Sequence, residues 1–275
     1  MLYGLKVVVK YLLGKDKAER NFAVYPDDTF LVSYPRSGNT WTRFLVANLV
    51  YPNENVSFAN IERLIPDTSS QSNLALKRMP RPRIIKTHEY FDHRYPKTIY
   101  IVRDPRDVVL SYYEFQRRYG QIQENHPLES YVDDFVSGRS TAGWGTWSEN
   151  VASWFYTRGG RSDFLLLRYE EMMQDTAAHL ARVAVFLGIE ADAARLQKAI
   201  ELSSADRMRK LEKLEGEQWV ATRGGREVRP FVRAAKTGGW RTSLPKTCVQ
   251  RIESAWGPLM TTLGYALEST DEAAA

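Results

Sequence analysis

Three short segments of this chain combine residue types suited to holding and transferring an anion. The first, Tyr34-Pro-Arg-Ser-Gly-Asn-Thr-Trp41, joins an apolar run to a helical pattern. A Gly turn entering a helix leaves backbone N–H groups pointing outward, and the helix dipole adds positive potential there. Arg36, Ser37, Asn39 and Thr40 supply side-chain donors beside Gly38. A plain strand-to-helix turn needs none of them, so the segment reads as a phosphate cradle. It is not a Walker A loop: no Gly precedes Gly38 at the required spacing and no Lys follows it. A nucleotide 5′-phosphate, bound without magnesium-triphosphate machinery, fits the loop better.

The second segment is Arg103-Asp-Pro-Arg-Asp107 with Ser111. Guanidinium and hydroxyl together suit a second phosphate. The plain alternative is an ion pair of Arg103 or Arg106 with Asp104 or Asp107, common on surfaces and worth little. The third is Lys86-Thr-His88. Strand alternation puts Lys86 and His88 on one side and Thr87 on the other. His88 is the candidate general base, because imidazole accepts a proton near neutral pH; a structural histidine is the competing reading. Tyr90, Phe91, Trp144 and Trp147 either wall an apolar acceptor pocket or fill the core.

These residues need a scaffold that brings them together. Apolar strand patterns cover 30–34, 83–87, 98–102 and 164–168, ending at the cradle, His88, Arg103 and Tyr169 respectively. Helical spacing follows at 40–50, from Asp104-Pro105 through Ser111 to Arg117, and at 127–137, 144–158, 176–187, 191–202 and 247–263. Residues 51–82, broken by four prolines, read as loop with a short helix near Ile61. Buried strands alternating with helices predict an α/β fold: a single domain over 1–275 whose central parallel sheet is flanked by helices, with a P-loop-like phosphate-binding strand-loop-helix. Ligands of such sheets sit at the carboxyl ends of the strands, where all four candidate positions fall. Residues 1–20 are expected to form an N-terminal helical extension and 267–275 a frayed tail.

Composition narrows the classes. Of 275 residues, 43% are apolar and 26% charged, which excludes disorder and fibrous repeats. The sole cysteine, Cys248, excludes a disulfide framework within the chain and points to a reducing, cytoplasmic setting. The four histidines lack helical metal-site spacing, so no metal is expected. A net charge of +5, from 38 basic and 33 acidic residues, suits an anionic ligand but is too dispersed for nucleic acid. The apolar N-terminal stretch, broken by Lys6 and Lys10, is too short to span a bilayer.

From Phe30 to Tyr265 the chain resembles the cytosolic sulfotransferases, which use 3′-phosphoadenosine 5′-phosphosulfate (PAPS) and release 3′,5′-adenosine bisphosphate. Tyr34–Trp41 looks like the family's 5′-phosphosulfate loop and Ile101–Ser111 like its 3′-phosphate element. Lys86-Thr-His88 matches the segment of the catalytic histidine, Gly145-Thr-Trp147 the Gly-Ser-Trp segment, and Leu167-Arg-Tyr-Glu-Glu171 the Tyr-Glu-Asp segment. The resemblance implies that Arg36, Ser37, Gly38, Asn39 and Thr40 hold the 5′-phosphosulfate, and Arg103 and Ser111 the 3′-phosphate. It further implies that Trp41 and Tyr169 contact the adenine, that Ser203 contacts the base through its hydroxyl, and that Arg233 closes over the 3′-phosphate.

Three departures stand out. Arg36 replaces the family's loop lysine; it keeps the charge but cannot donate a proton to the leaving phosphate. Arg233-Ala234-Ala235 replaces Arg-Lys-Gly, and Ala205 replaces an aromatic near the adenine. The expected reaction is in-line transfer of a sulfuryl group to a hydroxyl, ahead of an amine, of a small aromatic or apolar acceptor. His88 takes the proton, while Lys86 and Arg36 stabilise the charge that builds up. A nucleotide phosphotransferase, requiring ATP and magnesium, and a catalytically silent PAPS-binding fold are the rivals. The family's Lys-x-x-x-Thr-Val-x-x-x-Glu dimer segment is missing, since Lys246 is followed at once by Thr247, so no oligomeric state is read.

Overall fold

Phe30 and Val32 face one side of the first strand and Leu31 the other, so strand alternation alone generates two cores around one sheet. The structure, a computed structural model, describes residues 17–141, 143–219, 222–223, 232 and 237–268. The chain runs β1 (Thr29–Ser33), α1 (Asn39–Val50), α2 (Ile61–Leu64), α3 (Asn73–Arg78), β2 (Ile84–Thr87) and β3 (Lys97–Val102). Next come α4 (Pro105–Arg118), α5 (Leu128–Val136), α6 (Trp147–Arg158), β4 (Phe164–Arg168) and α7 (Tyr169–Gln174). It ends with α8 (Thr176–Leu187), α9 (Ala193–Leu202), α10 (Ala205–Glu215), α11 (Trp240–Ser243) and α12 (Lys246–Thr262).

All three strand pairings are parallel and the order is β2-β1-β3-β4. The chain leaves β1 for β2 on one side, then crosses to β3 on the other. That reversal opens a crevice at the carboxyl ends of β1 and β3, where ligands of doubly wound sheets bind. One core packs Phe30, Val32, Tyr100 and Val102 against α4, α5, α6 and α12; the other packs Leu31, Ile99 and Ile101 against α1, α8, α9 and α10. Each fully buried apolar side chain contributes roughly 1.5–3 kcal/mol relative to exposure. Strand residues Phe30 and Leu31 have no exposed surface.

Several helix boundaries follow from capping. Asp104 accepts from the N–H of Arg106 and Pro105 opens the first turn of α4, so the helix starts where its residues signal it. The expected 144–158 helix begins instead at Trp147, because Thr146 and Glu149 form a capping box there. Helix α3 starts at the Ser72 cap inside the stretch read as loop. Helix α7 follows β4 with no turn residue between them, and α10 starts at the Ser204 cap; neither was anticipated. Residues 1–16 lie outside the described chain. Lys17–Arg20 correct the helical reading, forming a bridge to Ser72 and a turn. In the tail, the Glu268 N–H donates to Glu253, so 267–268 are anchored, and 269–275 lie outside the described residues.

Candidate active site

The cradle is built as its residues require. After β1 the chain turns through Arg36 at φ 68° and Gly38 at φ 92°, both left-handed. A Cβ on Gly38 would lie 2.3 Å from Cδ2 of Tyr169, so both conformation and packing demand glycine there. Gly38 caps α1 without any side-chain hydrogen bond, leaving the first-turn N–H groups available to an anion. Ser37 Oγ and Asn39 Oδ1 are buried with no protein partner. Two orphaned polar atoms beside a glycine-lined helix N-terminus fit a phosphate-bearing ligand. Asn39 Nδ2 donates to Ser33 Oγ at 3.1 Å, while Thr40 and Trp41 are half-buried on the first turn.

The second anion element meets the first across the crevice. Arg103, at the end of β3, donates through Nη1 to the Arg36 carbonyl at 3.3 Å, and its guanidinium lies 4.5 Å from the Tyr169 ring centre. Arg36 Nε donates to Ser111 Oγ at 3.2 Å, and its guanidinium lies over Phe115 at 4.7 Å. Arg36, Arg103 and Ser111, far apart in the chain, therefore form one cationic corner. Tyr169 forms its wall, packed edge-on to Trp41 with ring centres 5.8 Å apart. Asp107 pairs with Arg103 at 3.8 Å and also accepts the N–H groups of Gly238 and Trp240. Glu170 accepts the Asp104 N–H at 2.9 Å and the Tyr265 hydroxyl at 3.1 Å, which fixes the turn that carries Arg103. Sequence reasoning raised Asp107 only as an ion-pair partner and gave Glu170 no role, because their bonds to Gly238, Trp240 and Tyr265 depend on partners remote in the chain.

His88 follows β2 and has a defined tautomer. Its Nδ1 lies 2.7 Å from the Ser33 carbonyl oxygen, which can only accept, so Nδ1 carries the proton and Nε2 the lone pair. Burial, reinforced by the Lys86 charge, pushes its pKa down to about 3, so the imidazole is neutral across the physiological range. Asn150 Nδ2 holds the His88 carbonyl at 3.0 Å and is itself held by the Tyr100 hydroxyl at 2.8 Å. The Trp154 indole N–H bonds the Glu89 carbonyl at 2.9 Å. Lys86 Nζ lies 2.6 Å from Asp67 Oδ2, both side chains being largely buried.

Residues 26–264 match the sulfotransferase domain family. The chain belongs to that family. It is 27% identical over 254 residues to sulfotransferase 1C2 of Oryctolagus cuniculus, covering 86% of this chain and 84% of the relative. With human sulfotransferase 4A1 it shares 31% over 202 residues, 68% of this chain and 69% of that one. Its fold superposes on mouse sulfotransferase SULT7A1 complexed with PAP at TM-score 0.70 and 22% identity, covering 91% of each chain. Retinol dehydratase, solved with androsterone and inactive cofactor PAP, gives TM-score 0.72 at 21% identity, covering 92% of this chain and 85% of that one. The chain is thus a transferase of the PAPS-dependent class, and its α/β fold is the one that the strand-end motifs imply.

In this sulfotransferase the four expected acceptor-site aromatics separate. Trp144 meets the His88 ring edge-on at 5.6 Å. The Tyr90 hydroxyl occupies the space that a Cβ on Gly145 would take. Phe91 packs edge-on against Trp154 at 5.4 Å. Trp147 corrects the pocket reading: it has no exposed surface, and its indole N–H donates to the Arg103 carbonyl at 3.1 Å beneath the cationic corner. Ser203 is also fully buried, its hydroxyl accepting from Asn48 Nδ2 at 3.1 Å, two and a half turns along α1 from the cradle. Arg233, Ala234 and Ala235 lie outside the described residues. Among the described residues no cluster of three His, Cys, Asp or Glu side chains suits a metal, and no helix is long and apolar enough to cross a membrane.

Proposed function

We propose that this sulfotransferase transfers a sulfuryl group from PAPS to the hydroxyl of a small aromatic or apolar acceptor, with His88 as general base. When bound, PAPS supplies the sulfuryl group, its S–O bond to the 5′-phosphate breaking as a new bond forms from acceptor oxygen to sulfur. Ser37, Gly38, Asn39 and Thr40 hold the 5′-phosphate end through the open first turn of α1. Arg103 and Ser111 hold the 3′-phosphate, and Trp41 and Tyr169 flank the purine. Ser203, enclosed and bonded to Asn48, is given no contact to the base. Arg36 moves from Ser111 onto the transferring charge; as an arginine it stabilises charge but gives up no proton.

The observation that carries this reading is the locked tautomer of His88. With Nδ1–H held by the Ser33 carbonyl, Nε2 presents a neutral lone pair beside Trp144. A group of this kind takes the acceptor proton without first losing its own. Trp144, edge-on to His88, supports an aromatic acceptor beside the base, with Tyr90 as its second wall. The sole cysteine, Cys248, is a free thiol, which supports a cytoplasmic location.

The test is a thermal-shift titration with 3′,5′-adenosine bisphosphate beside ATP with magnesium. At 100 times its Kd a ligand stabilises the fold by about 2.7 kcal/mol, a plainly visible rise in melting temperature. Stabilisation by the bisphosphate is expected; stabilisation by ATP with magnesium alone would replace this reading with a phosphotransferase. In the same preparation His88→Ala should lose turnover by roughly 10²–10⁴-fold while keeping bisphosphate affinity. Full turnover in that variant would remove His88 from the mechanism.

A further inference from the structure

Lys86 is held in a way that the cradle does not explain. Its ammonium lies 2.6 Å from Asp67 Oδ2, with side-chain exposures of 8% and 14%. Asp67 comes from the segment between α2 and α3, which lies beside β2 as a one-residue parallel bridge. Lys86 N donates to the Pro66 carbonyl at 2.8 Å, and Thr68 N to the Lys86 carbonyl at 3.1 Å. The other carboxylate oxygen of Asp67 accepts from Ser69 N at 2.9 Å and Ser69 Oγ at 2.8 Å. Both oxygens are engaged, so the carboxylate cannot turn away from Lys86.

The pairing continues toward the cradle helix. Asp67 N donates to Glu62 Oε2 at 3.0 Å, and Glu62 Oε1 pairs with Arg43 of α1 at 2.9 Å. A buried ion pair is weak as a source of stability, since apolar side chains of similar size commonly do as well or better. A pair built this firmly two residues from the candidate base suggests work on the reaction. We propose that Asp67 is a positioning residue for sulfuryl transfer, its carboxylate fixing the Lys86 ammonium beside His88 in the cationic form. The assignment rests on the reading of Lys86 as a charge stabiliser given above.

The charged and titratable groups around Lys86 are Asp67, Arg43 and Glu62, with His88 facing from the site. Burial already pushes Lys86 below its ordinary value, against the pull of Asp67. Without that carboxylate, burial and Arg43 act together against Glu62. Lys86 then sheds its proton nearer neutrality.

The deciding experiment follows the Lys86 ¹³Cε resonance with pH in the ligand-free protein and in Asp67→Asn. The expected result is a Lys86 titration at lower pH in the variant than in the parent, with 3′,5′-adenosine bisphosphate affinity retained. With 4-nitrophenol as acceptor, kcat on the alkaline side should fall on the order of 10²-fold and recover as the pH is lowered and Lys86 regains its proton. In a Lys86→Met background, Asp67→Asn should add nothing. That double variant leaves no charge buried alone, so it folds even where Asp67→Asn does not. Asp67→Glu, which keeps the charge, should leave Lys86 titrating as in the parent. An unmoved Lys86 titration in Asp67→Asn, or equal losses with and without Lys86, would overturn the proposal. If the parent protein neither binds the bisphosphate nor sulfonates the phenol, the functional reading fails instead, and the ¹³C titration still reports on the pair.

Discussion

Gly38→Ala is the perturbation whose cost the structure sets most directly. The residue sits at φ 92°, and an L side chain in a left-handed backbone conformation costs about 1–2 kcal/mol. The new Cβ would also stand 2.3 Å from the ring of Tyr169, which is 5% exposed and cannot retreat into solvent. Relieving such an overlap costs typically another 1–3 kcal/mol. The expected loss is therefore about 2–5 kcal/mol in urea unfolding. Binding should suffer as well, because the displaced ring carries the Arg103 guanidinium on one side and Trp41 on another. Bisphosphate affinity measured by calorimetry should drop at least about tenfold, the equivalent of about 1.4 kcal/mol. A double-mutant cycle with Tyr169→Ala separates the two costs: the clash is absent in the double variant, so its destabilisation should fall short of the sum of the singles by about 1–3 kcal/mol. Strict additivity, or a Gly38→Ala protein within about 0.5 kcal/mol of the parent, would show that Tyr169 does not occupy the cradle as described.

Two further outcomes follow from the same geometry. His88 has a folded pKa of about 3, below its unfolded value of about 6.5, so its contribution to stability is complete above pH 6.5 and is lost as pH falls toward 3. Replacing His88 by Gln should flatten the acid limb of stability against pH by up to about 1.4 kcal/mol per pH unit over that range, and imidazole NMR of the ligand-free parent should show His88 neutral at pH 5. Trp147→Phe removes the indole N–H from the Arg103 carbonyl and should cost about 1 kcal/mol in chemical unfolding. If that variant changes the KM for an aromatic acceptor with stability untouched, Trp147 belongs to the pocket after all.

Much of the fold was legible because its signals are local. Phe30–Tyr34 and Phe164–Arg168 are short apolar runs of strand length, and the Asp104-Pro105 start of α4 is a cap that works within one turn. Helix α7 was not legible, because Tyr169 to Gln174 follow β4 with no turn residue to mark the change of period. Trp147 and Trp144 lie three residues apart on similar chemistry. One is enclosed beneath Arg103 while the other faces His88, and no propensity distinguishes them.

The amino-acid sequence by itself determined that a parallel α/β sheet would deliver Pro35–Thr40, His88, Arg103 and Tyr169 to one end, and that the motifs belong to PAPS-dependent sulfuryl transfer. The first conclusion rests on interactions within a few residues, namely strand alternation, a glycine turn and a helix cap; the second rests on the resemblance of the motifs to a known family. Tertiary structure alone decided that Arg36 bonds Ser111 across 75 positions, that Ser33 selects the tautomer of His88 across 55, and that Asp67 meets Lys86 across 19. A buried charge or lone pair takes its state from whichever groups share its low-dielectric surroundings. The order of strands in the sheet, and not the order of residues in the chain, sets which groups those are.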